Sequence, residues 1–225
     1  LAAQLSHADQ RVRQGAQLEL ARRGRKDVLL AVARDSGAAR LARVHGLWGY
    51  GQLLRRKQAE VAAVLPLLRD SDAEIRRQAA RILGDAAIAK TDARALIPLL
   101  ADVSPRVRLQ AAIALGKLAE PAAVDALFVM ADQAAAEPVL RHAVVTGLAG
   151  CARPGQLAAR KSDPSLAVRL ASVVALRRQA SPAIQEFLGD ADPLVVEEAA
   201  RAIHDDRSIP GALPRLAALV DATPC

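Results

Sequence analysis

Apolar and polar residues follow one recurring order along this chain. An acid or small polar residue is followed three steps later by an apolar residue, then usually by Arg. A small residue stands four steps past that apolar position, and a large apolar residue eight steps past it. The order reads DQRVRQGAQLEL from Asp9, DAEIRRQAARILG from Asp72 and SPRVRLQAAIALG from Ser104. It returns as EPVLRHAVVTGLA from Glu137, SLAVRLASVVALR from Ser165 and DPLVVEEAARAIH from Asp192. RVHGLWGYGQLLRR, residues 43–56, carries the same order with Ala42 at the apolar position. That position, numbered 0 below, falls at 12, 42, 75, 107, 140, 168 and 195, spacings of 27 to 33 residues. Such a period marks a solenoid.

At about 100° per residue, positions 0, +4 and +8 share one helical face, which must be buried. Asp or Ser ahead of the first apolar residue supplies an N-cap. Between the copies lie shorter helical stretches, EVAAVLPLLRD, ARALIPLLAD and PAAVDALFVMAD among them. The unit is therefore a helix, a tight turn and a second helix, the copy just described. No segment alternates with period two for long enough to make a strand. One pair cannot bury its apolar face alone, so pairs stack into a continuous core. The expected fold is all-α, a right-handed α-solenoid of about seven stacked pairs, with residues 1–225 forming a single domain.

The repeat resembles HEAT repeats over essentially the whole chain, specifically the short bacterial type similar to phycobilin-lyase repeats. In HEAT repeats generally, Asp and Arg form a hydrogen-bonded ladder between units. Here Arg13, Arg43, Arg76, Arg108, Arg141 and Arg169 stand at +1, in the first helical turn, where the macrodipole disfavours a cation. Each then needs a carboxylate beside it. Asp9 and Asp72 precede Arg13 and Arg76 by four residues, and Asp102 and Asp163 lie in the turns before Arg108 and Arg169. A structural ladder is expected over a phosphate-binding one. The last copy breaks it with Val196.

The only Trp and Tyr sit among Gly46, Gly49 and Gly51. Tyr50 is at +8, so it belongs to the core with a partner for its hydroxyl. Gly46 and Gly49 allow close helix approach. Trp48 is at +6, roughly opposite, on what becomes the inner face of a solenoid. With the +2 positions it makes a mixed apolar and basic stripe. The candidate protein-binding residues on it are Val44, Trp48, Arg77, Arg81, Leu109, Ile113 and His142.

Composition adds polarity and little chemistry. The net charge is +7. Residues 1–60 carry 12 basic and 5 acidic side chains, whereas residues 181–225 carry 3 and 8. The basic part can steer an acidic partner. Aromatics are only 2%, which leaves little for stacking bases, so no specific nucleic acid is expected. His7, His45, His142 and His204 lie on different repeats, and a zinc site needs three or four converging ligands. No metal, cofactor or catalytic group is expected in this segment. Cys151 and Cys225 form no paired motif, and no apolar run approaches a membrane span.

Three passages narrow the resemblance: RLARVHGLWGYGQL, DPSLAVRLASVVALRR and FLGDADPLVVEEAARAIHDDRSIPGALPRLAAL. They resemble the HEAT region of large bacterial membrane-associated dehydrogenase-like proteins. Those combine a sugar-dehydrogenase-like β-propeller, a helical repeat region and a C-terminal c-type haem module. The resemblance implies a periplasmic or membrane-associated setting, the alternative being cytoplasmic, with any redox chemistry outside these residues. The chain opens on a second-type helix and closes on a first-type one, which reads as a piece of a longer protein. The expected function is a monomeric, non-catalytic scaffold that docks a protein partner or neighbouring domains of the same chain. A nucleic-acid-binding repeat protein and an accessory subunit resembling phycobilin lyases are the alternatives.

Overall fold

The computed structural model describes residues 1–86, 90–205 and 209–222. Its described residues form α-helices and short 3-10 segments, with no strand among them. The chain divides into two compact units, residues 1–118 and the residues from 119 on. The first holds α1 (Gln10–Arg22), α2 (Lys26–Arg34), α3 (Arg40–Arg55), α4 (Ala73–Asp85), α5 (Lys90–Ala93) and α6 (Pro105–Leu118). The second holds α7 (Val124–Gln133), α8 (Pro138–Cys151), α9 (Pro154–Ala158), α10 (Leu166–Arg178), α11 (Pro193–Asp205) and α12 (Leu213–Ala222). Cys225 lies outside the described residues.

Every copy of the sequence pattern is a helix: α1, α3, α4, α6, α8, α10 and α11. The caps act as their residue types require. Asp9 accepts from the Arg11 amide at 2.8 Å, Asp72 from Glu74 at 2.9 Å, and Asp192 from Leu194 at 2.9 Å. Position +8 is core throughout: Leu20, Tyr50, Leu83, Leu115, Leu148, Leu176 and Ile203 are all buried. The intervening elements differ from expectation. EVAAVLPLLRD folds as two 3-10 segments, Val61–Ala63 and Leu65–Arg69, and Arg94–Ala101 is also 3-10. Pro66 and Pro98 explain it. Proline has no N–H to donate and its ring clashes with the carbonyl four residues back. Tighter 3-10 turns replace the α ladder in short pieces.

The glycines of α3 let it lie close to α2. A Cβ on Gly46 would stand 2.7 Å from the Leu29 carbonyl oxygen, and one on Gly49 2.6 Å from Leu29 Cδ2. After α1, α6 and α10 the residue at position +12 adopts the left-handed conformation. Gly24 supplies it after α1 with φ +65, whereas Ala180 adopts φ +50 after α10.

Three rungs of the arginine ladder are present, for Arg43, Arg76 and Arg169, but the carboxylate comes from the turn that opens the next second-type helix, not from the turn before the arginine's own helix. Arg76 binds Asp102 at 2.7 and 2.9 Å. Arg43 binds Asp70, and Arg169 binds Asp190 at 2.9 Å. The preceding turn contributes backbone carbonyls instead: Arg13 donates to His7 and Ala8, Arg76 to Asp70 and Ser71, Arg169 to Asp163 and Pro164. Arg108 likewise donates to the Asp102 carbonyl. Asp9 and Asp72, expected beside Arg13 and Arg76, cap their helices and pair with Arg11 and Arg40.

Each ladder aspartate has two tasks. Asp70, Asp102 and Asp190 also accept from the amide two residues on, at 2.9, 2.8 and 2.8 Å. This closes the turn that launches the next helix, an Asx-turn. Asp163 closes its turn the same way, at 3.0 Å. His7 stands in for the aspartate ahead of α1, its Nδ1 accepting from the Asp9 amide at 3.0 Å.

Candidate functional site

The aromatic knot of α3 sits over a groove of about 520 Å³ in the first unit. The seam of α3 and α4 with the start of α6 builds it. Val44, Trp48, Arg77 and Gln78 line it, with Leu41 and Arg106 at its margin. Val44 is buried at 4% exposure, and Leu41 is 54% exposed. The pattern that makes +8 core turns +2 and +6 toward this seam, so Val44 and Trp48 lie one turn apart on a single face.

Trp48 is half-buried. Its indole N–H donates to Gln78 Oε1 at 2.8 Å, and Gln78 donates to Glu74 at 2.8 Å. Arg77 closes this network with two bonds to Glu74, at 2.9 and 2.6 Å. The Arg77 guanidinium holds the Glu74 carboxyl below its ordinary range, against the opposing effect of burial. Trp48 is therefore fixed by polar contacts on α4.

Behind Trp48 lies a second polar cluster that sequence reading missed. His45 packs edge-on against Trp48, ring centroids 5.2 Å apart. Its Nδ1 meets Gln17 Oε1 at 2.8 Å, and Arg13 Nε points at its Nε2 at 3.3 Å. All three side chains are buried. Burial and the Arg13 charge push the His45 pKa below its ordinary value, and Nε2, accepting from Arg13, leaves Nδ1 to donate to Gln17. The available signal was polar residues at +3 and +5 (His45, Gln78 and Gln17), beside the core face. Tyr50 is 1% exposed, and its hydroxyl donates to the Glu60 carbonyl at 3.0 Å.

The candidate stripe thus divides. Val44, Trp48 and Arg77 share this groove. Arg81 is exposed and pairs with Asp85 at 3.8 Å, while Leu109 and Ile113 are half-buried on α6, outside the groove lining. His142 is in the second unit, on a different groove.

Cys151 is buried, which pushes its thiol up to about 11. Among the described residues no group of three His, Cys, Asp or Glu side chains is placed to hold a metal ion. No described helix is long and apolar enough to cross a membrane.

Residues 59–149 match the family model for HEAT repeats. No curated protein matches the chain. Among solved structures the chain is similar to one in the complex of CpcE and CpcF of phycocyanin lyase from Nostoc sp. PCC7120. That match has 18% identity and a TM-score of 0.51, covering 97% of this chain and 92% of that one. It is also similar to an engineered protein at 17% identity and a TM-score of 0.52, covering 98% and 70%. The likeness is one of fold, an α-solenoid, with HEAT repeats matched over residues 59–149.

Proposed function

We propose that this chain is a non-catalytic helical-repeat scaffold that docks a protein segment in the α3–α4 groove. One observation carries the reading. The single Trp is held half-buried at the edge of a groove by a hydrogen bond to Gln78, beside Val44 and Arg77. A rigid aromatic flanked by arginine is the residue pairing enriched at binding hot spots. Phosphate binding fits less well, because Arg43, Arg76 and Arg169 are already engaged by buried or half-buried aspartates.

The three passages that resemble the HEAT region of bacterial membrane-associated dehydrogenase-like proteins support a wider role. In it the scaffold is the spacer of a multidomain redox protein, periplasmic or membrane-associated, whose chemistry belongs to other domains. Its partner is then a neighbouring domain or a second protein. A second reading is an accessory chain like those of the phycocyanin lyase complex, supported by the likeness of fold alone.

The test pairs two titrations. Duplex and single-stranded DNA are titrated at low and physiological salt, and peptides selected from a random library are titrated beside them. The docking reading expects peptides whose binding falls by about 2 kcal/mol in Trp48→Ala, roughly thirtyfold, with weak salt dependence. DNA binding should vanish as salt rises, since it depends on counterion release. Micromolar DNA binding that survives physiological salt overturns the reading, as does peptide binding indifferent to Trp48→Ala.

A further inference from the structure

The second unit carries a groove of its own, about 340 Å³, between α7, α8, α10 and α11. Its floor is aliphatic: Val144, Val145, Leu170 and Val174. Arg141, His142 and Arg178 stand on its walls. The feature that singles it out is Arg141. This residue occupies the +1 position whose counterparts Arg43, Arg76 and Arg169 each bind an aspartate of the following turn. Arg141 is exposed, and among the described residues its side chain makes no hydrogen bond or ion pair.

The cause is visible in the turns on either side. Asp163, the aspartate of the turn after α9, is met by Arg160 at 3.6 Å. The residues before α8 are Ala134, Ala135, Ala136 and the N-cap Glu137, with no aspartate to close an Asx-turn. The ladder arginine is thereby released into the groove. Arg178 is already oriented there, donating to Thr146 Oγ1 at 2.7 Å and meeting His142 Nδ1 at 3.4 Å. Among the described residues that line the groove the one acid, Glu198, faces Arg177 at 3.8 Å and Arg201 at 3.7 Å.

We infer that this groove is a docking site for a protein segment in which an Asp or Glu is flanked by aliphatic side chains. The carboxylate meets Arg141, whose guanidinium fork suits bidentate pairing, and the aliphatic side chains cover Leu170 and Val174. Charge complementarity selects this occupant, because the walls present two guanidinium groups and one acid that already faces two arginines. The site is independent of the Trp48 groove.

The test selects binders from a random dodecapeptide display library, with the Trp48→Ala chain as bait so that the first groove is disabled. The expected pool is enriched in Asp or Glu next to Leu, Val or Ile. Individual clones should bind at least tenfold more weakly to bait that also carries Arg141→Glu, and more weakly to Leu170→Ala. The same reversal at Arg11, exposed in the first unit, should leave binding unchanged, and melting curves should confirm that each bait is folded. A pool without acidic enrichment, no pool above the unselected library, or equal losses from Arg141→Glu and Arg11→Glu would each overturn the inference.

Discussion

Copies of the repeat taken from the two units show the same positions put to different ends. At +1 the first unit has Arg76, clamped between the carbonyls of its own turn and Asp102 of the next, while the second has Arg141, exposed in a groove. At +4 the first has Gly46 pressed against the backbone of α2, and the second has a buried valine, Val144. At +12 the first ends α1 with Gly24, and the second ends α10 with Ala180. A position in this repeat therefore has no fixed role. The neighbouring turn decides whether an arginine is a brace or a binding group, and the neighbouring helix decides whether a small residue must be glycine.

The largest effect should come from +1. The Arg76 and Asp102 side chains are 13% and 8% exposed, and removing one partner of a buried pair strands the other, costing about 3–5 kcal/mol. Arg76→Ala should lose that much in denaturant unfolding, whereas Arg141→Ala should stay within about 0.5 kcal/mol. Equal losses would erase the distinction between brace and binding group. Acid sharpens the contrast. Burial works against the Asp102 charge, but Arg76 and the Ser104 amide prevail and hold its pKa below the ordinary value. A lowered carboxyl pKa gives stability that is complete above the unfolded value near 4 and is lost as pH falls through the folded one. The gap between wild type and Arg76→Ala should therefore narrow in that acid range.

Position +4 comes next. A methyl on Gly46 must displace backbone, since the obstructing atom is the Leu29 carbonyl oxygen at 2.7 Å. Overpacking of this kind costs about 1–3 kcal/mol, so Gly46→Ala should destabilise despite its better helix propensity. Gly15, in α1, has nothing within 4 Å of the Cβ it lacks. Gly15→Ala should stabilise by up to about 1 kcal/mol. Thermal melts of the two variants should move in opposite directions.

The seven second-type helices were legible because their information is local. Caps and the 0, +4, +8 spacing lie within one stretch of chain, so Tyr50 could be assigned to the core and Gly46 to a close approach. The elements between them were misread where Pro66 and Pro98 sit in otherwise helical apolar runs. The ladder was half-legible. The need for a carboxylate at Arg76 follows from its place in the first helical turn, but the acceptor it finds, Asp102, is 26 residues away. Proximity in sequence favoured Asp72, which is occupied with its own cap and with Arg40. The same limit applies to the site. Nothing local tells that Gln78 of α4 will hold the Trp48 indole, or that the turns around α8 will leave Arg141 without an aspartate.

The smallest effect tests position +12. After α10, the Ala180 amide donates to the Arg177 carbonyl at 2.9 Å and the Ser181 amide to Leu176 at 3.0 Å. After α1, the Gly24 and Arg25 amides close the same two bonds, to Ala21 at 3.1 Å and Leu20 at 2.9 Å. The turn is shared, so only the side chain at its left-handed residue differs. An L residue there brings Cβ too near the following carbonyl, at roughly 1–2 kcal/mol, while glycine avoids that but loses roughly 0.5–1 kcal/mol in chain entropy. Ala180→Gly should accordingly stabilise by about 0.5–1 kcal/mol, and Gly24→Ala should destabilise by a similar amount. Because no hydrogen bond changes in either variant, denaturant m-values should stay constant and only the midpoints should move. Loss of stability in Ala180→Gly would mean that the alanine methyl makes contacts worth more than the backbone strain it imposes.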